Sequence, residues 1–149
     1  MFREAVARDD AAVLRLYRQL HPEDPVIPNV SSAFDLVRRT QGMRLFVLEQ
    51  DGQVVATTYL NMIPNVTRGG APYAVIENVV VDEGVRGQGL GKQIMTATLR
   101  EAWAAGCYKV MLMTGSRSPS THAFYRSCGF SSDAKTAYLA RPHQRPNVL

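Results

Sequence analysis

The sequence has few of the residues that mark metal-binding, secreted or membrane proteins. Only two of its 149 residues are cysteines, Cys107 and Cys128, and their spacing is not that of a metal site. In a chain without a secretion signal, two such residues are expected to be buried free thiols rather than a disulfide. There is also no stretch of about 18 apolar residues, so no membrane-spanning helix is predicted.

Clustered charge is missing as well. The N-terminal segment MFREAVARDD is charged from residue 3 and lacks the apolar core of a signal peptide, which predicts a cytoplasmic protein. Lysine and arginine number 17 against 13 acidic residues, giving a formal charge of +4. These charges are scattered, so nucleic-acid binding is not indicated, and neither is a membrane partner. A mildly basic surface does suit an anionic ligand.

The residue pattern predicts an α/β protein of one domain spanning residues 1–149. The predicted element order is β α α β β β α β α β, a mixed sheet with helices on both faces. Asp51-Gly52 between two β-rich runs predicts a tight hairpin. The strand at 73–81, the following helix and a strand at 109–114 predict a parallel crossover. Trp103 is expected in the buried stripe of that helix, and a last strand is expected at 135–141.

The segment VVVDEGVRGQGLGK, residues 79–92, places three glycines directly after a strand. It is not a P-loop, because position 86 is arginine and position 93 is glutamine, and its G-x-G-x-G spacing is not the dinucleotide fingerprint. Unpaired amides at a helix N-terminus bind phosphate, and Arg86 and Lys92 add positive charge. The segment therefore predicts a phosphate site, with a ligand-free glycine-rich turn as the alternative.

The sequence VRGQGLGK resembles the acetyl-CoA pyrophosphate loop of the GCN5-related N-acetyltransferases (GNAT), whose signature is Q/R-x-x-G-x-G/A. Arg86, Gly89 and Gly91 occupy the signature positions. The segments VIENVVVDE and HAFYRSCGF resemble two further family segments in the same order. The resemblance implies a mixed sheet of six to seven strands, in which the fourth strand splays from the fifth, often at a bulge.

The resemblance also implies how acetyl-CoA is bound, with coenzyme A as the product and no metal. The main chain of three valines would pair with the pantetheine arm like an added strand, while their side chains pack in the core. Backbone amides of the glycine segment would hold the pyrophosphate. The implied cofactor-binding residues are Val79, Val80, Val81, Arg86, Gly87, Gln88, Gly89, Leu90, Gly91 and Lys92.

Acetyl transfer needs a neutral amine, a polarised thioester carbonyl and a protonated leaving thiolate. Glu77, in the strand before Val79, is the candidate base; its alternatives are a structural salt bridge or a substrate-binding anion. Tyr125 matches the family tyrosine that protonates the thiolate, and its alternative is a buried aromatic. His122 is a rival base. A backbone amide near Val79 would polarise the carbonyl.

The implied acceptor is a primary amine of a small molecule. The segments IEN, RGQGLGK, GCYKV and FYRSCGF also resemble the branch of the family that acetylates glucosamine 6-phosphate, although Met113 stands where that branch has an acid. The alternatives are acetylation of proteins or peptides, or a non-catalytic acetyl-CoA sensor. Many family members pair through the last strands of the sheet, so a homodimer is compatible with the resemblance.

Overall fold

The computed structural model describes residues 1–142. The chain divides into two compact units, Met1–Leu112 and Met113–Leu149. We call the first the sheet unit and the second, described to residue 142, the C-terminal unit. That residues 1–149 act as a single domain stays a prediction.

The sheet unit contains a five-stranded sheet whose strands lie side by side in chain order. Strands β1 to β4 are antiparallel neighbours, and β5 runs parallel to β4. This confirms the predicted α/β fold with a mixed sheet, with five strands in the described residues instead of six or seven. The strands are β1 Phe2–Glu4, β2 Met43–Gln50, β3 Gln53–Ile63, β4 Tyr73–Val81 and β5 Val110–Met111.

The hairpin between β2 and β3 has the predicted tight turn. Gln50 pairs with Gln53, and the two residues between them, Asp51 and Gly52, have φ angles of 51° and 75°. Positive φ at both central residues is the two-residue turn whose twist matches that of the flanking strands. The Asp-Gly dipeptide therefore sets the register between β2 and β3 at the hairpin end.

Helices cover both faces of the sheet, as predicted. The helices of the sheet unit are α1 Asp10–Leu20, α2 Val30–Arg39 and α3 Leu90–Ala104. Neighbouring residues of a strand point to opposite faces. Accordingly Val47 packs in one core cluster with Val13 of α1 and Phe34 of α2, while Leu48 packs in another with Ile94 of α3.

The β4–α3–β5 segment forms the predicted parallel crossover. Because α3 starts at Leu90, its N-terminus follows the end of β4 at Val81 after only eight residues. Trp103 is not in the buried stripe of α3 and is 49% exposed. The buried positions are Ile94, Met95, Thr98 and Ala102, and Trp103 lies about 100° further round the helix than Ala102.

In the C-terminal unit, helix α4 spans Pro119–Ser127, with Ser118 at its N-cap position and proline in the first turn. The predicted strand at 135–141 is wrong, since residues 113–142 contain no strand. Tyr138 and Leu139 are 93% and 69% exposed, so the apolar residues that suggested a strand do not bury a face.

Two predictions concern features outside the sheet. Cys107 and Cys128 are not joined in a disulfide, as predicted; Cys107 is buried as expected, whereas Cys128 is only half-buried. No helix within residues 1–142 combines the length and the apolar character needed to cross a bilayer.

Candidate active site

A bulge interrupts β4 directly after Glu77. Thr57 of β3 pairs with Val80 and Tyr59 pairs with Glu77, so the single residue Thr58 faces two residues of β4, Asn78 and Val79. Asn78 has a φ of 50°, in the left-handed region that residues other than glycine, asparagine and aspartate seldom adopt. The extra residue turns the following backbone and separates the two halves of the strand.

Strand β4 separates from β5 just before this bulge. Strand β5 pairs with β4 only at Ala74 and Val75. Within the sheet unit, β4 from Ile76 onward therefore has a paired neighbour on one side only, which is β3. The predicted splay between the fourth and fifth strands is present.

The main chain of Val79 and Val81 points to this unpaired edge. The Asp82 N–H donates to the Val55 carbonyl at 2.8 Å, so it faces β3. Since successive residues of a strand alternate, Val80 also faces β3, while Val79 and Val81 face away from it. Accordingly the Val81 carbonyl accepts a bond from Arg86 Nε at 3.1 Å. An unpaired strand edge is a template for an added strand.

The side chains of these valines pack as core. Val80 is 4% exposed and lies in the cluster formed with α1 and α2. Val81 packs on the opposite face, in the cluster formed with α3. Of these two residues only Val81 has main-chain groups at the unpaired edge; the expectation that the main chain of Val80 also binds the cofactor is wrong, because it faces β3.

The glycine segment forms a sharp entry into α3. Gly87 and Gly89 have φ angles of 81° and 79°, which favour glycine. The first helical bond runs from Gln93 N–H to the Gly89 carbonyl at 3.0 Å. The N–H groups of Leu90, Gly91 and Lys92 precede that bond and have no acceptor within the helix, and Gly89 has no side chain to cap them.

Two basic side chains flank this segment, and the exposed acid Glu83 offsets their charge only in part. Arg86 and Lys92 are exposed, and neither forms an ion pair with a residue in 1–142. The nearby acid Asp82 is paired with Arg15, which also donates to the Val54 carbonyl at 3.0 Å. The Arg15 guanidinium and the Gly84 N–H hold the pKa of Asp82 below its ordinary value, so its charge is already matched.

Glu77 lies on the sheet face covered by α1 and α2. It is half-buried and directly opposite Tyr59, which packs against the core cluster of those helices. Among residues 1–142 no basic side chain forms an ion pair with it. The alternative role of Glu77 as a structural salt bridge would need a basic partner, and the described part of the chain places none within ion-pair distance.

Tyr125 and His122 both lie on α4, in the C-terminal unit. Tyr125 is half-buried, with its ring 5.1 Å from that of Phe124 and 6.4 Å from that of Phe130. His122 is half-buried, and its Nε2 lies 2.9 Å from the Ser116 carbonyl. One nitrogen of the imidazole is therefore engaged by the loop before α4.

A group of aromatic and basic side chains lies at the start of β4, on the same face as Glu77. Lys109 Nζ lies 5.2 Å from the ring centre of Tyr73 and 5.3 Å from that of Tyr108, and Arg68 is 5.8 Å from Tyr108. Tyr73 and Glu77 are four residues apart in a strand and point the same way, about 13 Å apart along it. We call these four side chains, Arg68, Tyr73, Tyr108 and Lys109, the cationic aromatic cluster.

This geometry agrees with three comparisons with known proteins. The model of the acetyltransferase (GNAT) family matches residues 7–130. The chain belongs to the GNAT family. It is therefore an acyltransferase of the N-acetyltransferase type, in a family that uses acetyl-CoA as its cosubstrate.

Named relatives act on small amines. A glucosamine 6-phosphate N-acetyltransferase from Trypanosoma brucei brucei is 36% identical over 105 residues, covering 69% of each chain. An aminoglycoside N(6')-acetyltransferase from Stenotrophomonas maltophilia is 25% identical over 146 residues, covering 94% of this chain and 92% of the relative. The solved structure of a putative acetyltransferase from Agrobacterium tumefaciens is 40% identical with a TM-score of 0.90, covering 95% and 99% of the two chains.

The sequence-based reasoning missed Asn78 as the bulge residue. A signal was present, because asparagine is depleted in strands yet tolerates the left-handed conformation, and here it interrupts a run of β-branched residues. It also missed Tyr17 of α1, which packs against the core cluster of α1 and α2 and whose pKa is raised by burial to about 12. Residues 1–142 contain no group of three or more histidine, cysteine or acidic side chains suited to a metal ion.

Proposed function

We propose that the protein transfers the acetyl group of acetyl-CoA directly to a primary amine of a small molecule. The observation that carries the proposal is the unpaired edge of β4 at Val79 and Val81, which leads within eight residues to the free amides at the start of α3. An edge that can pair with an amide-containing arm thus continues into a site for a diphosphate.

The residues present fit acetyl-CoA. The main-chain groups of Val79 and Val81 would pair with the pantetheine arm, and the amides of the 86–92 segment would hold the pyrophosphate. Arg86 and Lys92 add positive charge that no acid of the described residues neutralises. Acetyl-CoA supplies the activated acetyl group as a thioester.

Glu77 is proposed as the base that removes a proton from the incoming amine, directly or through a water. The amine must be neutral to attack a carbonyl, and a positioned carboxylate can accept its proton. Two features support this role. Glu77 has no ion-pair partner in residues 1–142, and it lies one residue before the bulge that turns Val79 to the unpaired edge.

The Val79 N–H is proposed to donate to the thioester carbonyl. Strand β4 directs this group to the unpaired edge, where a fixed amide would stabilise negative charge on the carbonyl oxygen. The Tyr125 hydroxyl is proposed to protonate the departing thiolate. Its position in the segment HAFYRSCGF supports that role.

The cationic aromatic cluster supports an acceptor that carries a phosphate or carboxylate as well as its amine. Lys109 and Arg68 flank Tyr108 with no acid paired to them in the described residues, on the face that also carries Glu77. An anionic group there would complement both cations while the amine lies near Glu77. The relative from T. brucei brucei is named for such an acceptor.

Two readouts on the purified protein test this function. Calorimetry should detect binding of coenzyme A and acetyl-CoA, and the absence of any uptake at millimolar concentration would remove the proposed acetyl-CoA site. Thiol release with a panel of amines, read by mass spectrometry of the product, then identifies the acceptor class. The panel pairs glucosamine 6-phosphate with glucosamine and adds an aminoglycoside, amino acids, a polyamine and a lysine peptide.

The panel also separates the alternatives. Faster turnover of glucosamine 6-phosphate than of glucosamine supports the anionic acceptor, and the reverse order contradicts it. Preference for the peptide would indicate a protein acetyltransferase. Binding of acetyl-CoA without turnover of any amine would point to a sensor, which the N-acetyltransferase names of the relatives disfavour.

A further inference from the structure

The first residues of the connection between β4 and α3 are held by contacts with distant parts of the chain. The Asp82 N–H donates to the Val55 carbonyl of β3 at 2.8 Å, and the Asp82 carboxylate pairs with Arg15 of α1. The Glu83 N–H donates to the side-chain oxygen of Gln19 at 2.9 Å, across 64 positions of the chain. Two separate elements, β3 and α1, therefore hold the start of this connection.

The rest of the connection lacks such contacts. Within residues 1–142, no hydrogen bond or ion pair joins positions 86–92 to any strand or helix other than the adjoining β4 and α3. Leu90 packs in the core cluster formed with α3. Each residue adds only two soft dihedral angles, so a short segment takes its position from the residues on either side. The proposed diphosphate amides are thus positioned by α3 on one side and by Asp82 and Glu83 on the other.

Helix α1 is a firm support for these contacts. Val13 and Leu16 are fully buried in the core cluster that α1 forms with α2, and a close-packed core resists displacement of the helix. Arg15 and Gln19 are four residues apart and lie on the same face of α1. Arg15 also donates to the Val54 carbonyl at 3.0 Å. Both side chains therefore connect a packed helix to the end of the sheet where the connection begins.

The same contacts contribute little to the stability of the fold. The Arg15 side chain is 48% exposed, and ion pairs at such positions are worth little in water. The bond between Gln19 and the Glu83 N–H also lies at the surface. A role in binding accounts for them better, because a segment that is already ordered loses less conformational entropy when it takes up a ligand.

We propose that Gln19 and Arg15 are positioning residues that hold the start of the β4–α3 connection and so orient the amides of positions 86–92 toward the diphosphate of acetyl-CoA. This inference rests on the acetyl-CoA site proposed above. Neither side chain touches the cofactor; Gln19 acts through Glu83 and Arg15 through Asp82. Their loss should weaken binding of the cofactor and leave the chemical step unchanged, because the reaction takes place at other residues.

The first test replaces three long polar side chains of α1 by methionine. Gln19→Met and Arg15→Met should each raise the Kd for coenzyme A and the KM for acetyl-CoA about fivefold, the effect of one lost hydrogen bond, with kcat changed less than twofold. Arg18→Met is the matched control, since Arg18 is an exposed arginine of the same helix with no ion pair in residues 1–142. Affinities equal to that of the control would overturn the proposal.

A second donor separates the positioning of this segment from a general disturbance of the site. S-Acetylpantetheine carries the pantetheine arm and the acetyl thioester but no diphosphate. Its kcat/KM should be the same in Gln19→Met and in the parent, while kcat/KM for acetyl-CoA falls about fivefold. An equal loss with both donors would contradict the proposal, because the damage would then lie outside the diphosphate site.

Asp82→Asn distinguishes position from charge. The substitution removes a negative charge near a site for an anion, so charge alone would tighten the binding of coenzyme A. The weakened contact with Arg15 should instead raise the Kd about threefold, although the asparagine oxygen can still accept from the Gly84 N–H. An affinity equal to or above that of the parent would show that Arg15 only neutralises Asp82, and would overturn its positioning role.

A readout without any ligand keeps this proposal apart from the proposed function. In ¹⁵N-labelled protein, the amide resonances of Gly87 and Gly89 should shift in Gln19→Met and stay in place in Arg18→Met. If the parent binds no coenzyme A, the proposed acetyl-CoA site fails, and these resonances still decide whether Gln19 positions the segment. If the parent binds coenzyme A but the resonances do not respond to Gln19→Met, the positioning role fails alone.

Discussion

Two polar regions of the sheet unit differ in whether their polar and charged groups are already paired. At the N-terminal edge, Arg3 bonds Asp9 at 2.6 Å and Glu49 at 2.7 Å, and the Val6 N–H donates to Asp9 at 2.8 Å. Asp9 is only 4% exposed. These three charged groups line a surface depression of about 410 Å³ next to Gly52, but they are already paired with one another.

The segment from Arg86 to Lys92 instead contains polar groups that lack such partners. Its amides at Leu90, Gly91 and Lys92 have no acceptor within α3, and its two basic side chains have no acidic partner in residues 1–142. Both regions contain a glycine with similar left-handed φ, 75° at Gly52 and 79° at Gly89. What differs is whether the surrounding polar groups are already paired.

The comparison suggests that the paired region contributes to stability and the unpaired one to binding. A buried polar group that has its partners stabilises the fold, while a preorganised donor without one is ready for a ligand. Substitutions in the first region should change the melting temperature and leave catalysis alone. Substitutions in the second should do the reverse.

The largest difference in activity is expected between Glu77→Gln and Glu49→Gln. Loss of a general base is expected to lower kcat at neutral pH about 100-fold and to flatten the acid limb of the pH–rate profile. Glu49→Gln removes a partner of Arg3 and should lower the melting temperature with kcat unchanged. Steady-state kinetics across pH measure the first effect and thermal melts the second. Unchanged kinetics in Glu77→Gln would remove this residue from the mechanism.

A comparison of Gly89→Ala with Gly52→Ala separates the effect on ligand affinity from the effect of backbone strain on stability. An added Cβ meets no atom within 4 Å at either position, so neither variant has a steric clash. Both should lose about 1 kcal/mol of stability, because alanine disfavours a positive φ. Only Gly89→Ala should weaken coenzyme A binding, by about 30-fold, through displaced amides at the diphosphate. Calorimetry measures this affinity. Equal affinities for coenzyme A in the two variants would place the diphosphate elsewhere.

Tyr125→Phe extends the comparison to the C-terminal unit. Removal of the hydroxyl should lower kcat about tenfold or more while acetyl-CoA binding changes little, because the proton is needed only when the thiolate departs. Tyr138→Phe is the control, since Tyr138 is 93% exposed. Stopped-flow thiol release separates the chemical step from binding. A Tyr125→Phe variant as fast as the control would reduce this ring to a packing role.

Asp9→Asn should leave activity unchanged and cost stability, about 2 kcal/mol for a charge-assisted bond, or roughly 5 °C in Tm. Hydrogen bonds from Arg3, and then from the Val6 N–H, hold the pKa of Asp9 below its ordinary value of 3.8. A lowered folded-state pKa means that the contribution is complete above that ordinary value and is lost as pH falls through the folded one. Thermal melts from pH 7 to pH 3 should therefore show the gap between parent and variant closing only in the most acid samples. A gap that stays constant would mean that ionised Asp9 is not its source.

The parts of the fold with local signals were predicted correctly. Asp51-Gly52 and the glycine segment of residues 86–92 require particular backbone angles, and those requirements are visible in neighbouring residues. The helix and strand periods of the sheet unit were visible in the same way, except at Trp103, which was expected in the buried stripe of α3 and is exposed. The strand at 135–141 failed because apolar residues alone do not make a strand unless a neighbour buries them, and Tyr138 and Leu139 are exposed.

By itself, the sequence determined the family, the glycine entry to α3 and the position of Glu77 before the three valines, because each of these depends on residues adjacent in the chain. Only the tertiary structure decided which residue of β4 bulges and which valine amides reach the unpaired edge. Those outcomes depend on the register between β3 and β4, in which the paired residues Thr57 and Val80 lie 23 positions apart in the chain. Local propensity cannot specify such contacts, since burial and hydrogen bonding are settled only when the distant segments meet.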